Sequence, residues 1–524
     1  MKKILLSLLY IVAFGGLFSA CNVDVVNPNA LDTGVFWKSE TDAQNGLNAV
    51  YNMFYKDDFY ARWYYFRTNL TSDEGFSQSP WTELGDWTRF QYTNYNFNEG
   101  NVYNYHSCYV AIFRANQVLN YVPNITFANE QTKNQVLGQA YFLRALFYFD
   151  VAMLWGSENA SIPIVLEPSK PSDSPAGHTE TEVYAQIESD LTQAINMLPV
   201  SWDDSNKGKA TKGAAYALRA KARMQQHNWQ GAKDDLEWLI KGDGKQYYGL
   251  VTNYQDNFTH LNENNRESVF EIQYSDIHKA PAGTGPNAID PALGSQFAQF
   301  FGPPGIGWTD GEMRPWIVSE YRKEKDINGN YDIRLKYNLF YEGMDTDFPG
   351  NDKIYGQSMD IWQAQNYKGR VFFRKYQTDY YRNFEDYYSP VNVRLIRYAD
   401  VLLLYAECLA NLSSSNLSEA ISYVNQIRSR VNMPPLSVNH TDATQSATAF
   451  LKRLQMERCL EMCEEGWRWA DLQRWGVLDN QAGIDELKSR DPDFNNFAVG
   501  KNKRLPIPSL EINNNPNLTQ NPGY

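Results

Sequence analysis

Apolar residues recur at helical spacing over most of this chain. The pattern is clearest in residues 211–240, where apolar positions follow the spacing of two helices joined by a short turn. Those positions are Leu218, Ala222, Trp229, Ala232 and Leu236. The spacing predicts a helix-turn-helix unit of the tetratricopeptide kind, and residues 182–199 and 402–427 repeat it. Residues 105–121 and 139–155 add two long amphipathic helices, so we expect helix pairs that bury their apolar faces by stacking on each other.

The helical pattern is interrupted in two places. Between residues 243 and 392 proline, glycine, aspartate and asparagine dominate, and only residues 268–274 and 370–376 have the composition of strands. Residues 68–100 form a second polar interruption, within the N-terminal helices. The predicted fold is therefore mainly α, a tetratricopeptide-like helical scaffold with a long loop-rich region that contains short strands. Long loops on a rigid scaffold are where binding residues usually lie.

The N-terminus has the composition of a bacterial export signal. Two lysines precede an apolar run over residues 4–18, and this run is too short for a usual membrane span. Ser19 and Ala20 then precede Cys21, which matches the bacterial lipobox, in which the cysteine thiol is acylated. Phe18 departs from that motif, which prefers leucine there. We expect a lipidated Cys21; the alternative is an ordinary signal peptide with an incidental cysteine.

These patterns divide the chain into five predicted parts. They are a signal peptide (residues 1–20), a lipidated tether (21–30), an N-terminal helical part (31–242) with a ligand loop (68–100), a loop-rich variable ligand region (243–392) and a C-terminal helical part (393–524).

Composition and charge narrow the class of partner. The formal charge of -13, with no basic cluster, argues against nucleic acid, because phosphate binding depends on clustered lysine and arginine. Aromatic residues are frequent at 15%, and this suits a protein whose surface binds flat or amphipathic ligands. The sequence contains no phosphate-binding glycine motif and no nucleophile elbow, so it predicts no cofactor.

Residues 456–476 combine carboxylates, arginines and tryptophans within a few helical turns. Glu461 and Glu465 could act as an acid and base pair, but that chemistry needs carboxylates that converge in a water-excluded cleft. The structural interpretation is favoured: one helix face packs, and the other is held by ion pairs such as Glu464 with Arg468 at i, i+4. Gly466 predicts that the helix bends or restarts there.

The same segment carries a family resemblance. Its matching residues are Glu457, Arg458, Glu461, Glu464, Glu465, Gly466, Arg468, Asp471, Leu472, Arg474, Trp475 and Gly476. Together with RYADVLLLYAE at residues 397–407 and LPIP at residues 505–508, they resemble the SusD/RagB family of outer-membrane nutrient-binding lipoproteins. The resemblance implies a tetratricopeptide-like scaffold that carries a loop-rich ligand region.

The resemblance also implies a function. Such a protein would be a non-catalytic, lipid-anchored protein of the outer membrane, exposed at the cell surface. It would capture an oligo- or polysaccharide and deliver it to a TonB-dependent, SusC-like transporter. Two alternatives remain open: a peptide- or other nutrient-binding lipoprotein of the same uptake type, and an exported glycoside hydrolase, which the abundant aspartate and glutamate would permit.

Two short patterns raise the question of a metal site. Asp326, Asn328, Asn330 and Asp332 place oxygen-bearing side chains at alternate positions, as a calcium loop does. The glycine stands at the wrong position and no glutamate closes the loop, so a turn is the favoured interpretation. Cys459 and Cys463 are four residues apart, but without a nearby histidine a zinc site is not predicted.

The predicted ligand site rests on tryptophans that lie in polar loops. A sugar ring presents an apolar face and a fringe of hydroxyls, so it needs a flat aromatic ring beside charged or amide groups. The candidate residues are Asp73, Trp81, Trp87, Arg89, Trp308, Asp310, Arg314, Trp316 and Trp362. The tryptophans at helical spacing are expected to pack instead. Should the loop tryptophans not form the site, the next candidates are Tyr337, Tyr341, Tyr367 and Tyr380.

Overall fold

Helices form most of the described chain, as the apolar spacing predicts. The computed structural model describes residues 36–93, 98–170, 173–277, 293–351, 353–358 and 367–524. Both the predicted signal and tether, with Cys21, and the candidate Trp362 lie outside the described residues.

The α-helices of the described residues are α1 (Glu40–Tyr51), α2 (Trp63–Asn69), α3 (Thr82–Thr88), α4 (Asn104–Tyr121), α5 (Glu130–Trp155), α6 (Glu180–Met197), α7 (Lys212–Gln225), α8 (Trp229–Ile240), α9 (Phe297–Phe301), α10 (Trp316–Tyr321), α11 (Ile333–Asn338), α12 (Met344–Asp347), α13 (Tyr398–Leu412), α14 (Leu417–Arg430), α15 (Leu436–Asn439), α16 (Ala447–Met462), α17 (Arg468–Arg474), α18 (Gln481–Lys488) and α19 (Ser509–Asn514). The strands of the same residues are β1 (Gly75–Phe76), β2 (Ile162–Pro163), β3 (Gly177–His178), β4 (Ser268–Ile272), β5 (Glu312–Met313), β6 (Leu339–Tyr341), β7 (Lys353–Ile354), β8 (Gln357–Ser358), β9 (Val371–Phe373) and β10 (Val393–Arg397).

The long helices stack in chain order. Helices α4 to α8 each pack on the next, α8 then packs on α13, and α13 packs on α14 and α16. The caps show why α7 and α8 begin where they do: the Thr211 hydroxyl accepts a hydrogen bond from the Ala214 amide, and the Asn228 side chain accepts one from Gly231. Their apolar positions Leu218 and Leu236 are fully buried between the helices. The predicted helix-turn-helix units and the mainly α fold are therefore confirmed.

The tryptophans at helical spacing pack as predicted. Trp155, Trp467 and Trp469 are buried, and Trp229, Trp238 and Trp475 are half-buried against the same core. None of the described helices is both long enough and apolar enough to cross a bilayer.

Short strands connect the two loop regions. The main sheet is antiparallel with strand order β1-β5-β9-β6, and Gly75 of β1 pairs with Met313 of β5. Residues 68–100 are thereby joined to the loop-rich region. Strand β4 pairs with β10, which runs directly into α13. The strands predicted at residues 268–274 and 370–376 are present as β4 and β9.

The helix of the C-terminal signature breaks and restarts. Helix α16 ends at Met462 and α17 begins at Arg468, with left-handed φ angles of 68° at Glu464 and 80° at Gly466. The prediction of a restart at Gly466 is confirmed. The predicted pair between Glu464 and Arg468 is wrong, because the break separates the two side chains. Arg468 instead binds Asp73 at 2.7 Å, and Glu464 accepts a hydrogen bond from the Lys375 amide at 2.9 Å.

Buried ion pairs connect the signature to the rest of the chain. The Arg397 guanidinium contacts Glu461 at 2.6 Å, Glu465 at 2.7 Å and Glu267 at 3.0 Å, and all four side chains are fully buried. Lys375 also binds Glu465 at 2.9 Å. Because Arg397 begins the RYADVLLLYAE segment, the two charged motifs of the resemblance meet in one cluster.

Further arginines extend this cluster. Arg334 contacts Glu457 at 2.8 Å, and Arg458 contacts Asp400 at 2.9 Å. Arg474 contacts Glu407 at 2.6 Å. The third matching segment, LPIP, is not part of this cluster. It contacts the C-terminal end of helix α5, where the Leu505 amide donates a hydrogen bond of 2.7 Å to the Leu154 carbonyl.

The electrostatics of this cluster favour the structural interpretation of Glu461 and Glu465. Burial alone would raise the pKa of Glu461, but Arg430, Arg397 and Arg334 outweigh it and lower that pKa to about 2. Both carboxylates are already bound by buried cations. The acid and base alternative for this pair is therefore wrong: neither group reaches a cleft.

We predict that Arg397→Gln destabilises the protein strongly. The substitution leaves Glu461 and Glu465 buried with less compensating charge, and breaking a buried pair of this kind typically costs about 3–5 kcal/mol. Urea denaturation should measure this loss in the free energy of unfolding. Arg89→Gln is the matched control, since the Arg89 side chain is 43% exposed and lies 3.6 Å from Asp86. Equal stabilities of the two variants would contradict the prediction.

Candidate functional site

Trp308 is the one tryptophan of the described residues with more than half of its surface exposed, at 56%. Its ring packs edge to face with Phe300, at a centroid distance of 5.1 Å, and with Tyr387, at 5.7 Å. Tyr387 is itself half-buried. The indole is thus fixed by its neighbours while a large part of it faces solvent.

The loop that carries Trp308 is held tightly by backbone contacts. The Trp308 amide donates to the Gln299 carbonyl at 2.8 Å, and the Asp310 amide donates to the Phe300 carbonyl at 2.8 Å. Gly307 is required here, because a Cβ at this position would lie 2.5 Å from the Gln299 carbonyl oxygen. The loop therefore presents Trp308 in one orientation above helix α9.

The loop of residues 68–100 contacts the loop that carries Trp308. The Ser79 hydroxyl donates to Asp310 at 2.6 Å. Trp81 is half-buried, and its ring lies 5.3 Å from the guanidinium of Arg62. The same guanidinium lies 5.0 Å from the ring of Phe300 and pairs with Asp57 at 2.7 Å.

Two polar side chains beside the aromatic rings keep unused hydrogen-bonding capacity. The Oδ2 atom of Asp310 and the Nε atom of Arg62 are buried without a hydrogen-bond partner among the described residues. Burial raises the pKa of Asp310 to about 6, although the Ser79 hydrogen bond and Arg62 oppose this shift. Burial likewise raises the pKa of Asp57 to about 6, against the opposing charge of Arg62. These carboxyls therefore change charge near pH 6.

We name this arrangement the Trp308 surface. It consists of Trp308, Tyr387, Phe300, Trp81, Arg62 and Asp310. Aromatic rings beside hydrogen-bonding groups can bind a ligand that has both an apolar face and polar substituents. Of the residues predicted from sequence, the structure brings together Trp81, Trp308 and Asp310.

Three predicted residues, Trp87, Asp73 and Trp316, have structural roles. Trp87 has no exposed surface and belongs to the core. Asp73 is fully buried in its pair with Arg468, and its carbonyl accepts a hydrogen bond from the Trp316 indole at 2.6 Å. Trp87 and the Asp73 carboxylate are therefore buried away from any ligand, whereas Trp316 is half-buried and its indole N–H is already bound.

Arg314 and Arg89 also lie apart from the Trp308 surface. Arg314 is buried, pairs with Asp491 at 2.6 Å and stacks 3.8 Å above the ring of Phe76. Arg89 is exposed, and its nearest ion-pair partner is Asp86. The first is a packing residue, and the second lies on the loop without a contact to Trp308 or Tyr387.

Sequence reasoning missed Tyr387 and Arg62. Tyr387 lies in the run EDYYSP, a polar loop with aromatic residues, which is the same signal that identified Trp308. Arg62 lies in FYARWYY, an aromatic run that the apolar pattern assigns to the core. Only the folded chain shows that its guanidinium lies between Trp81 and Phe300.

The calcium candidate forms a turn. The Asp326 carboxylate accepts hydrogen bonds from the amides of Asn328 and Asn330, each at 2.8 Å. Asp332 points elsewhere, since it binds Arg334 at 2.6 Å and is buried. The two carboxylates of the candidate thus serve different partners, and the turn interpretation fits the hydrogen bonds. Within the described residues, no group of three or more histidine, cysteine, aspartate or glutamate side chains is placed to hold a metal.

Comparisons with known proteins agree over nearly the whole chain. A model of the SusD family matches residues 242–524, and a model described as "Starch-binding associating with outer membrane" matches residues 23–224. The SusD-like protein P38 of Formosa agariphila is 27% identical over 503 residues, which cover 90% of this chain and 91% of that protein.

Solved structures agree as well. The crystal structure of a SusD superfamily protein from Bacteroides vulgatus is 26% identical, with a TM-score of 0.77 and coverage of 93% of this chain and 100% of that chain. A structure described as a laminarin-binding SusD-like protein is 25% identical, with a TM-score of 0.73 and the same coverage.

We predict that the stability contribution of Asp310 falls as pH rises through about 6, because its folded-state pKa lies above the ordinary aspartate value of 3.8. Relative to the wild type, Asp310→Asn should therefore gain about 1.4 kcal/mol of stability between pH 5 and pH 7.5, because the wild type loses about one pKa unit of linkage over that interval. Urea denaturation at both pH values measures the difference. Asp442→Asn, which removes an exposed carboxylate, is the control. A stability difference that does not change with pH would contradict the prediction.

Proposed function

The chain belongs to the SusD family, and from this premise we propose that it is a non-catalytic glycan-binding lipoprotein of the outer membrane. In this proposal it captures an oligo- or polysaccharide at the cell surface and delivers it to a TonB-dependent, SusC-like transporter. Two comparisons support a glycan as the ligand. The family model that matches the N-terminal half is described as starch-binding, and a relative of similar structure is described as laminarin-binding.

The observation that carries the proposal is the exposed indole of Trp308 beside Tyr387. The apolar face of a pyranose can stack on such a ring, while its hydroxyls reach polar groups at the ring's edge. Asp310 can accept and Arg62 can donate a hydrogen bond there. This combination suits a neutral sugar better than a purely apolar ligand.

The expected affinity is weak. If each of two rings covers about 100 Å² of sugar surface, burial at about 25 cal/mol per Å² contributes roughly 5 kcal/mol in total. Association costs at least about 4 kcal/mol, so hydrogen bonds supply most of what remains. The dissociation constant should therefore lie between about micromolar and millimolar. Such a protein would rely on several contacts along a polymer.

Membrane attachment is proposed through Cys21. Two or more acyl chains on one residue hold a protein firmly at a bilayer, whereas one chain does not. The description "associating with outer membrane" of the matching family model supports this location. The transporter partner follows from the family resemblance of the C-terminal segments.

We predict that Trp308→Ala weakens glycan binding by roughly 30-fold, because about 2 kcal/mol of ring burial is lost. Titration calorimetry with starch and laminarin, within a broader panel of polysaccharides and peptides, measures the change. Tyr247→Ala is the matched control, as Tyr247 is 39% exposed in a loop beside helix α8.

The outcomes separate the candidate functions. Unchanged affinity in Trp308→Ala, with a normal melting temperature, would place the glycan elsewhere. Binding of peptides alone would favour the peptide alternative. Release of reducing sugar from any polysaccharide of the panel by the wild-type protein would favour the hydrolase.

We predict that Cys21→Ser moves the protein from the membrane fraction to the soluble fraction or stalls its processing, because the acyl anchor is lost. Fractionation and mass spectrometry of the N-terminus measure this, with Cys108→Ser as the control, since Cys108 is buried in the scaffold. Wild-type membranes in mild detergent should also yield a co-purifying transporter. Retention of Cys21→Ser in the membrane fraction would contradict the lipid anchor. Purification without any channel-sized partner would contradict the transporter complex.

A further inference from the structure

Apart from the Trp308 surface, a pocket lies between the turn of residues 326–330, helix α11 and the C-terminal end of helix α14. It has a volume of about 460 Å³, which falls within the usual range of small-ligand sites. Its aromatic wall is formed by Tyr331, Tyr337 and Phe348. We call it the Tyr337 pocket, and it shares no residue with the Trp308 surface.

The walls of the Tyr337 pocket are tied to the rest of the fold by hydrogen bonds and ion pairs. The turn is fixed by the Asp326 carboxylate and by a hydrogen bond of 2.9 Å from the Ile327 amide to the Asn432 carbonyl. Helix α11 is fixed from behind, because Arg334 on its inner side enters the buried ion-pair cluster. Lys336 and Tyr337 lie on the same helix and line the pocket.

Two cations that line the pocket, Lys336 and Arg430, have donor groups that no ion pair or hydrogen bond uses among the described residues. Lys336 lines the pocket, and its ammonium group lies 5.6 Å from the centroid of the Tyr337 ring without an ion-pair partner among the described residues. Arg430 is almost fully buried and holds Glu267 at 2.9 Å, yet its Nε atom has no hydrogen-bond partner. Burial lowers the pKa of Lys336, and the charge of Arg374 lowers it further.

The carboxylates of the pocket are already engaged. Asp326 accepts the hydrogen bonds of its own turn, and Asp347 accepts from Arg322 at 2.7 Å and from the Tyr341 hydroxyl at 3.0 Å. The remaining polar lining is amide, from Asn253, Asn328, Asn330 and Asn432. The donors of the pocket that lack an ion-pair or hydrogen-bond partner among the described residues are thus the Lys336 ammonium group and Arg430 Nε, and both cations lie beside aromatic rings. Asp326 keeps its negative charge, so an anionic group would have to lie against these donors and away from the turn.

We propose that the Tyr337 pocket is a second saccharide site, which accepts a sugar unit that carries an anionic substituent, a carboxylate or a sulfate ester. The sugar face would lie against Tyr337, its hydroxyls would meet the asparagine amides, and the anionic group would meet Lys336 and Arg430 Nε. Charge-assisted hydrogen bonds of this kind are about twice as strong as neutral ones. The inference extends the proposed function, because it rests on a glycan as the ligand class.

The test uses three probes with the same ring: glucuronic acid, glucose 6-sulfate and glucose. Saturation-transfer NMR and titrations on the purified mature chain measure their affinities. At least one of the two acids should bind about 10-fold or more tightly than glucose, and the comparison between them identifies the substituent. Lys336→Met should reduce this acid to the affinity of glucose, and Tyr337→Ala should weaken it at least as much.

The controls separate this site from the first one. Lys323→Met removes an exposed lysine, with a side chain 66% exposed, and should leave the preference unchanged. Trp308→Ala should leave the affinity for the preferred acid at the Tyr337 pocket unchanged. Melting temperatures show whether each variant is folded; Lys336→Met decides the outcome should Tyr337→Ala unfold.

Three results would overturn the proposal: equal affinity for glucose and both acids, an acid preference that survives Lys336→Met, or an acid preference that disappears in Trp308→Ala. The two proposals fail independently. A chain that binds neutral polysaccharide through Trp308 but prefers no acidic sugar lacks only the second site. A chain that binds the acids but no polysaccharide lacks only the first.

Discussion

The structure depends on a cluster of buried ion pairs centred on Arg397. Three carboxylates, from Glu267, Glu461 and Glu465, converge on this one guanidinium, and Lys375 shares one of them. Charges in an apolar interior are costly unless they are paired and hydrogen-bonded, and each member here has its partners in the cluster. The pairing therefore constrains how the strands, the helices and the loop-rich region can be assembled.

This cluster also positions the ligand surfaces. Lys375 follows strand β9, so its contact with Glu465 attaches the main sheet to the C-terminal signature. Asp73 follows helix α2, and its pair with Arg468 attaches the loop of residues 68–100 to helix α17. The loops around Trp308 are thus held by the same short segment that the family resemblance identifies. Residues of this segment need not touch a ligand to matter for the proposed function, because their ion pairs hold the loop of residues 68–100 and the main sheet in place.

The two proposed sites differ in the interactions that would bind a sugar. The proposed Trp308 surface would rely on exposed aromatic area with a few polar groups, which suits weak recognition of a polymer. The proposed Tyr337 pocket would add two cationic donors, Lys336 and Arg430, which favour an anionic substituent. A protein with the net charge of -13 gains little from long-range attraction to an anionic glycan, so selectivity for such a unit has to come from local donors.

The sequence by itself determined the scaffold and the family. Helical spacing and caps are local properties, so the units around Leu218 and Leu236, the strand at residues 268–274 and the helix restart at Gly466 all followed from neighbouring residues. The packing of the helical tryptophans followed from the same spacing. The three matching segments identified the family because their charged residues recur in a fixed order.

Only the tertiary structure decided which loop residues face solvent. Trp87 and Trp308 both lie in polar loops, yet one has no exposed surface and the other 56%. Asp73 and Asp310 are both acids beside loop tryptophans, yet Arg468 comes from nearly 400 residues away to neutralise the first. Partners at such separations leave no local signal in the chain. The composition of a loop predicts that it can bind, whereas long-range pairing decides which of its side chains remain free to do so.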